Sequence, residues 1–206
     1  MRSLLLHCTT LLALGLATLA HAAPADFAGQ QPSHDAREVA DWVIEAQDNG
    51  GLPFALVDKR AARLYLFDAQ GRLQAVSAAL LGLAPGDHGD PQLNQRDLAT
   101  LAPHERTTPA GRFNAQPGRN LQGEHVVWVD YGAALAIHRL RPTAARERRA
   151  ARLASATPDD NRISLGCVVV PAQFYDDAVA PLLGNGRSVV YILPETRPAR
   201  DMFGWQ

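Results

Sequence analysis

Apolar positions along this chain change their rhythm three times. Residues 4–19 are almost wholly apolar. From His34 to Asp48 the apolar residues Val39, Trp42, Val43 and Ala46 recur at helical spacing. Ser33 is placed to cap that helix and Asn49-Gly50-Gly51 to end it, so the pattern predicts an amphipathic helix lying outside a main sheet, with Trp42 as its anchor. Beyond Leu52 the texture is short and β-like: strands over residues 54–57, 64–67 and 73–79, with Asp68-Ala69-Gln70-Gly71 as a turn, then 111–115, 125–130, 133–138 and a last strand over 188–193. Helical patterns cover the arginine-rich stretch 141–154 and residues 171–183. Segment 84–109 is long, polar and turn-rich, with a short helix expected over 92–101. Short strands dominate, so the expected class is mainly β, a sandwich or barrel-like domain with a few peripheral helices.

The first apolar run has a removable leader's form: Arg2 before it, and the small-x-small sequence Ala20-His21-Ala22 after it. The run is short for a membrane span. The organisation read from the chain is therefore a signal peptide over 1–22, a helical extension over 23–51, a main β-rich domain over 52–195 and a tail over 196–206. The mature chain is expected outside the cytoplasm, in the periplasm of a two-membrane cell.

Charge changes this picture little. The 206 residues carry 20 Lys+Arg and 21 Asp+Glu, and 47% are apolar, which excludes bulk disorder and a strongly polyanionic partner. No phosphate-cradling glycine loop opens a helix, and the aromatics are too sparse for a nucleic-acid platform. Lys59 is the only lysine. Asp87, His88 and Asp90 cluster in sequence, but without the spacing of a metal site, so a flexible polar loop is the expected reading.

Cysteine usage changes it most. Cys8 lies in the leader, so the mature chain keeps one thiol, Cys167, at the end of Ser164-Leu165-Gly166-Cys167. Ala134-Leu135-Ala136-Ile137-His138 places a histidine at the end of another apolar run. A thiol nucleophile needs a base and donors for the developing oxyanion. Cys167 is the candidate nucleophile, His138 the candidate base, and the amides of Gly166 and Cys167 the candidate oxyanion donors. Such a thiol is expected to react below the ordinary thiol pKa near 8.5, in a His138-dependent manner. Whether the Ser164 hydroxyl bonds within the site or caps its turn stays open.

These residues also carry a resemblance. Phe54-Ala55-Leu56-Val57-Asp58-Lys59 with Arg63-Leu64-Tyr65-Leu66-Phe67, then Thr107-Thr108-Pro109-Ala110-Gly111-Arg112-Phe113, then Ile137-His138 and Ser164-Leu165-Gly166-Cys167, resemble in order the opening hairpin, the Thr-Pro-x-Gly-x-Phe turn and the His…Ser-His-Gly-Cys signature of YkuD-type L,D-transpeptidase catalytic domains. The resemblance implies a β-sandwich enzyme acting on peptidoglycan stem peptides without a cofactor. Cys167 would form a thioester and pass the acyl group to an amine, and carbapenems would acylate it. Three departures qualify it. Leu165 replaces the signature's second histidine, Val169 stands where the family has a polar residue, and the stretch between His138 and Ser164 is long and arginine-rich. Within that stretch Arg139, first choice because it adjoins His138, and Arg162 are the candidates for holding a stem-peptide carboxylate; the alternative is a solvated face. Resolution by water (a carboxypeptidase, endopeptidase or release of wall-attached protein) and a non-catalytic peptidoglycan-binding module remain alternatives.

Overall fold

The computed structural model describes residues 23–142 and 144–205; the leader over 1–22 lies outside them. Ten strands form in chain order: β1 (Phe54–Asp58), β2 (Arg63–Phe67), β3 (Leu73–Ala78), β4 (Leu81–Gly82), β5 (Gly111–Arg119), β6 (His125–Asp130), β7 (Leu135–Arg139), β8 (Arg162–Ser164), β9 (Val168–Val170) and β10 (Ser188–Ile192). Eight make one sheet in the order β3-β2-β1-β10-β5-β6-β7-β9, and β4 pairs with β8 alongside. The β1–β10 and β7–β9 pairs are parallel, the other pairs of the large sheet antiparallel. The sheet curls until its two edges meet. Leu80, just past β3, exchanges main-chain hydrogen bonds with Val169 of β9 (2.7 and 2.9 Å). The protein is therefore mainly β and barrel-like, as the short apolar runs predict.

Alternation along the strands separates two cores. Ala55, Val57, Leu64, Leu66, Val127, Ile137, Val168 and Val190 face the inside of the curl, where Tyr175, Val179 and Leu183 pack against them. Those three come from a composite helix, α3 (Ala172–Phe174), a π-helical turn (Tyr175–Val179) and α4 (Ala180–Leu183). Pro181 has no N–H to offer the carbonyl one turn back, which accounts for the widened turn. Phe54, Leu56, Tyr65, Phe67, Val189 and Tyr191 face outward and are covered by α1 (His34–Glu45) through Ala36, Val39, Ala40 and Val43. With both faces covered, β1 and β10 are buried at every position, and so read as unbroken apolar runs.

α1 begins at Ser33, whose hydroxyl accepts from Ala36 N at 3.1 Å, as expected for that cap. Other expectations are corrected. The stretch 141–154 contains one short 3-10 turn and α2 (Arg149–Leu153), separated by Arg148 in the left-handed region at φ 49°. Only Leu153 of α2 is buried, so a longer helix here would have no apolar face to bury. The 92–101 helix is likewise two 3-10 turns, Leu93–Gln95 and Leu98–Thr100. The C-terminal stretch forms α5 (Ala199–Phe203), and Trp205 beyond it stacks on Trp42 with ring centroids 5.0 Å apart.

Candidate active site

β7 and β9 lie side by side in parallel, with Ile137 opposite Val168 and His138 opposite Val169. Ile137, Val168 and Val170 point into the inner core. The period of two therefore turns Ala136, His138, Cys167 and Val169 to the other face, and all four line one cavity of about 480 Å³. Trp128, Leu93 and Leu98 supply apolar wall, while Ser164, Leu165 and Gly166 form the floor beside the thiol. The two residues singled out as nucleophile and base thus reach a common space from neighbouring strands.

His138 Nδ1 lies 2.9 Å from the Arg139 carbonyl oxygen. That contact makes Nδ1 the protonated nitrogen and leaves Nε2 with the basic lone pair. Burial holds the His138 pKa down at about 4 against the lift of that hydrogen bond, and nearby Arg141 lowers it further. The imidazole is neutral at pH 7. The Cys167 thiol donates to the Ala134 carbonyl at 3.3 Å, and burial pushes its pKa up despite the Ala136 main chain and the Arg141 charge. This corrects the sequence-based expectation of a thiol titrating early. The cavity walls desolvate both groups, so the resting pair is neutral thiol and neutral imidazole.

The turn carrying the thiol is tightly bound. Ser164 Oγ donates to the Cys167 carbonyl (2.7 Å) and accepts from Gly166 N (3.1 Å). Its hydroxyl therefore bonds within the turn, and it occupies one of the two amides expected to hold an oxyanion. Gly166 has φ +142°, and a Cβ there would come within 3.0 Å of Thr107 O, so glycine is required. Thr108, fully buried, closes the turn from the other side: its Oγ1 donates to Gly166 O (2.7 Å) and accepts from Gly82 N (2.8 Å).

Below Thr108 sits a buried ionic group. Lys59 Nζ donates to Thr108 O (3.0 Å) and Asp87 Oδ1 (2.9 Å) and lies 3.3 Å from Glu195 Oε1. Burial alone would raise the Asp87 carboxyl, but hydrogen bonds from Thr196, the Glu195 amide and Lys59 outweigh it and hold it far below the usual carboxylate range. Asp87 thus belongs to this group, not to a metal cluster with His88 and Asp90. Among the described residues, the one set of three close potential ligands is His34, Asp35 and Glu38, on the exposed first turn of α1 and away from the cavity.

Neither arginine chosen from the sequence lines the cavity. Arg139 follows His138, and one step along a strand is the opposite face. Its guanidinium pairs with Asp176 (2.6 Å) and stacks 4.7 Å from the Tyr175 ring centre. Arg162 is bound to Glu195 and to Lys59 O. The arginines that do line the cavity are Arg141 and Arg149. Sequence reasoning passed over them because 141–154 read as one solvated helix.

No known family's sequence profile matches the chain, and no curated protein matches it. Among solved structures it is similar to the avibactam carbamoyl enzyme of Ldtfm, at 14% identity over 69% of this chain and 49% of that one, with a TM-score of 0.44. It is similar also to the L,D-transpeptidase of Xylanimonas cellulosilytica (14% identity, 68% of this chain, 60% of that one, TM-score 0.43). A third is the helical cell shape determining protein Pgp2 of Campylobacter jejuni (14%, 71% and 49%, TM-score 0.43). The chain spans between 49% and 60% of the length of these three structures.

Proposed function

We propose that this protein is an exported cysteine acyltransferase that acts on peptidoglycan stem peptides. One observation carries the chemistry: Cys167 and His138 face the same cavity from paired strands, with the His138 Nδ1–H committed to the Arg139 carbonyl. The substrate class rests on the ordered motifs around the opening hairpin, Thr108-Pro109-Ala110-Gly111 and Ser164-Leu165-Gly166-Cys167.

With both groups neutral at rest, attack is general-base assisted. Nε2 takes the thiol proton as Sγ bonds to the scissile carbonyl carbon. The Cys167 amide is the remaining candidate donor to the oxyanion, since the Gly166 amide is bonded to Ser164. Collapse of the tetrahedral adduct breaks the C–N bond, and the leaving amine takes the proton from Nε2, leaving a thioester. An acceptor amine then attacks the thioester carbon and gives its proton to Nε2; as the new C–N bond forms the C–S bond breaks, and the leaving Sγ takes the proton back from Nε2 to restore the thiol. Water in place of the amine gives hydrolysis.

The test is muropeptide analysis after incubating peptidoglycan with the protein and with Cys167→Ala, alongside mass spectrometry with a carbapenem. New crosslinks and a Cys167 adduct, both absent from the variant, are the expected result. Lost crosslinks or shortened stems identify a hydrolase. If no product and no adduct form, the catalytic reading fails and a binding module is what remains.

A further inference from the structure

The cavity has a cationic wall that thioester formation itself does not use. Arg141 and Arg149 stand on the segment between β7 and β8, and both line the cavity with His138 and Cys167. Arg149 is tethered through Nε, which donates to Glu147 Oε2 at 2.6 Å, while Arg141 Nε lies 2.6 Å from Glu124 Oε2 as an ion pair and, though buried, makes no hydrogen bond among the described residues. Neither terminal nitrogen of either guanidinium has a hydrogen-bond partner among the described residues. Arg139 and Arg162, by contrast, spend terminal nitrogens on Asp176 and Glu195. A guanidinium with a carboxylate beside its Nε and both Nη atoms open is set up for carboxylate recognition.

The remaining charges of the cavity do not oppose this. Asp90 and Glu105 also line it, but both face Arg96, at 3.3 and 2.7 Å. Glu124 is itself anchored by Asn120 Nδ2 at 2.8 Å, which fixes the tether of Arg141. Both arginine charges reach His138, where they disfavour the imidazolium. Trp128, Leu93 and Leu98 offer apolar contact for the rest of a ligand.

We infer that Arg141 and Arg149 form an anion subsite that holds a carboxylate of the acyl donor beside the scissile carbonyl. That the ligand is an acyl donor rests on the function proposed above; that the wall binds a carboxylate does not.

Two reagents separate the claims. Iodoacetate and iodoacetamide alkylate Cys167 with the same loss of iodide and differ in the carboxylate. The expected result is that Arg141→Gln with Arg149→Gln lowers the iodoacetate-to-iodoacetamide rate ratio about fivefold or more, and that salt lowers the wild-type ratio. Arg141→Lys with Arg149→Lys, which keeps charge and loses the fork, is expected to fall between. An unchanged ratio overturns the subsite, whatever the muropeptide assay shows. A lowered ratio with no muropeptide product keeps the subsite and removes the acyltransferase. A second readout needs no thiol. N-acetylalanine is expected to shift the arginine side-chain NMR signals of Cys167→Ser, and N-acetylalaninamide to leave them in place. Equal response to the two compounds also overturns the subsite.

Discussion

Cys167 holds its proton on the Ala134 carbonyl, and His138 holds its own on the Arg139 carbonyl, so the resting site stores no charge separation. The cause is desolvation, which raises the thiol and lowers the imidazole at once. A group with a depressed base pKa is deprotonated down to that value, so His138 is available as a base from about pH 4 upward. The thiol, in contrast, ionises only above the ordinary thiol range. Alkylation of Cys167 by neutral iodoacetamide is therefore expected to keep rising beyond pH 8.5, the value near which ordinary thiols titrate, and His138→Ala is expected to leave that midpoint in place. Acyl transfer by the same variant is expected to fall by about 100-fold or more, the usual contribution of a general base. A midpoint well below 8.5 that moves up in His138→Ala would instead identify a thiolate–imidazolium pair.

At the scale of elements, the thiol is positioned by a turn that two neighbouring segments grip. Thr108 bonds Gly166 O and Gly82 N through one hydroxyl, so it joins the nucleophile turn to β4. Thr108→Val keeps the shape and leaves both partners buried without it, at a cost of about 1–3 kcal/mol. It is expected to lower kcat for thioester formation with little change in KM, whereas Thr108→Ser restores kcat; loss of stability without the kcat change would make the contact merely structural. α1 and the longer strands were legible because β1, β2 and β10 bury apolar side chains at nearly every position and α1 has one apolar stripe and a serine cap, whereas β4, β8 and β9, of two or three residues each, are too short to show a period. That Cys167 and His138 could meet was also suggested by the sequence, since His138 ends an apolar run and Cys167 closes a Ser-Leu-Gly-Cys turn ahead of another; the fold places both on one cavity. Arg141 and Arg149 were not legible, since a run of arginines without an apolar face carries no periodic signal, and only the fold shows which of them reach the cavity. Arg139 misled for a related reason: proximity in sequence is opposition across a strand.

At the scale of the whole molecule, the one lysine of the chain ties together segments far apart in sequence. Composition alone gave Lys59 no role, yet its side chain has no solvent exposure and its ammonium faces Asp87, Glu195 and the Thr108 carbonyl. Arg162 from β8 closes the group by pairing with Glu195 and with Lys59 O. The group therefore joins the β1–β2 turn, both ends of the loop between β4 and β5, β8, and the chain beyond β10, directly beneath the threonine that grips the thiol turn. Lys59→Met removes a buried cation and leaves Asp87 without a charge partner, which costs about 3–5 kcal/mol. For a domain of this size that is a fall in melting temperature of about 6–20 °C. Adding Asp87→Asn removes the orphaned charge and is expected to recover part of the loss. Thermal melts of the two single variants and the double variant measure that coupling. Additive losses would mean that Lys59 acts by packing its stem alone; recovery in the double variant would assign the loss to the charge, and so to the tie that holds Thr108 against the Gly166 turn.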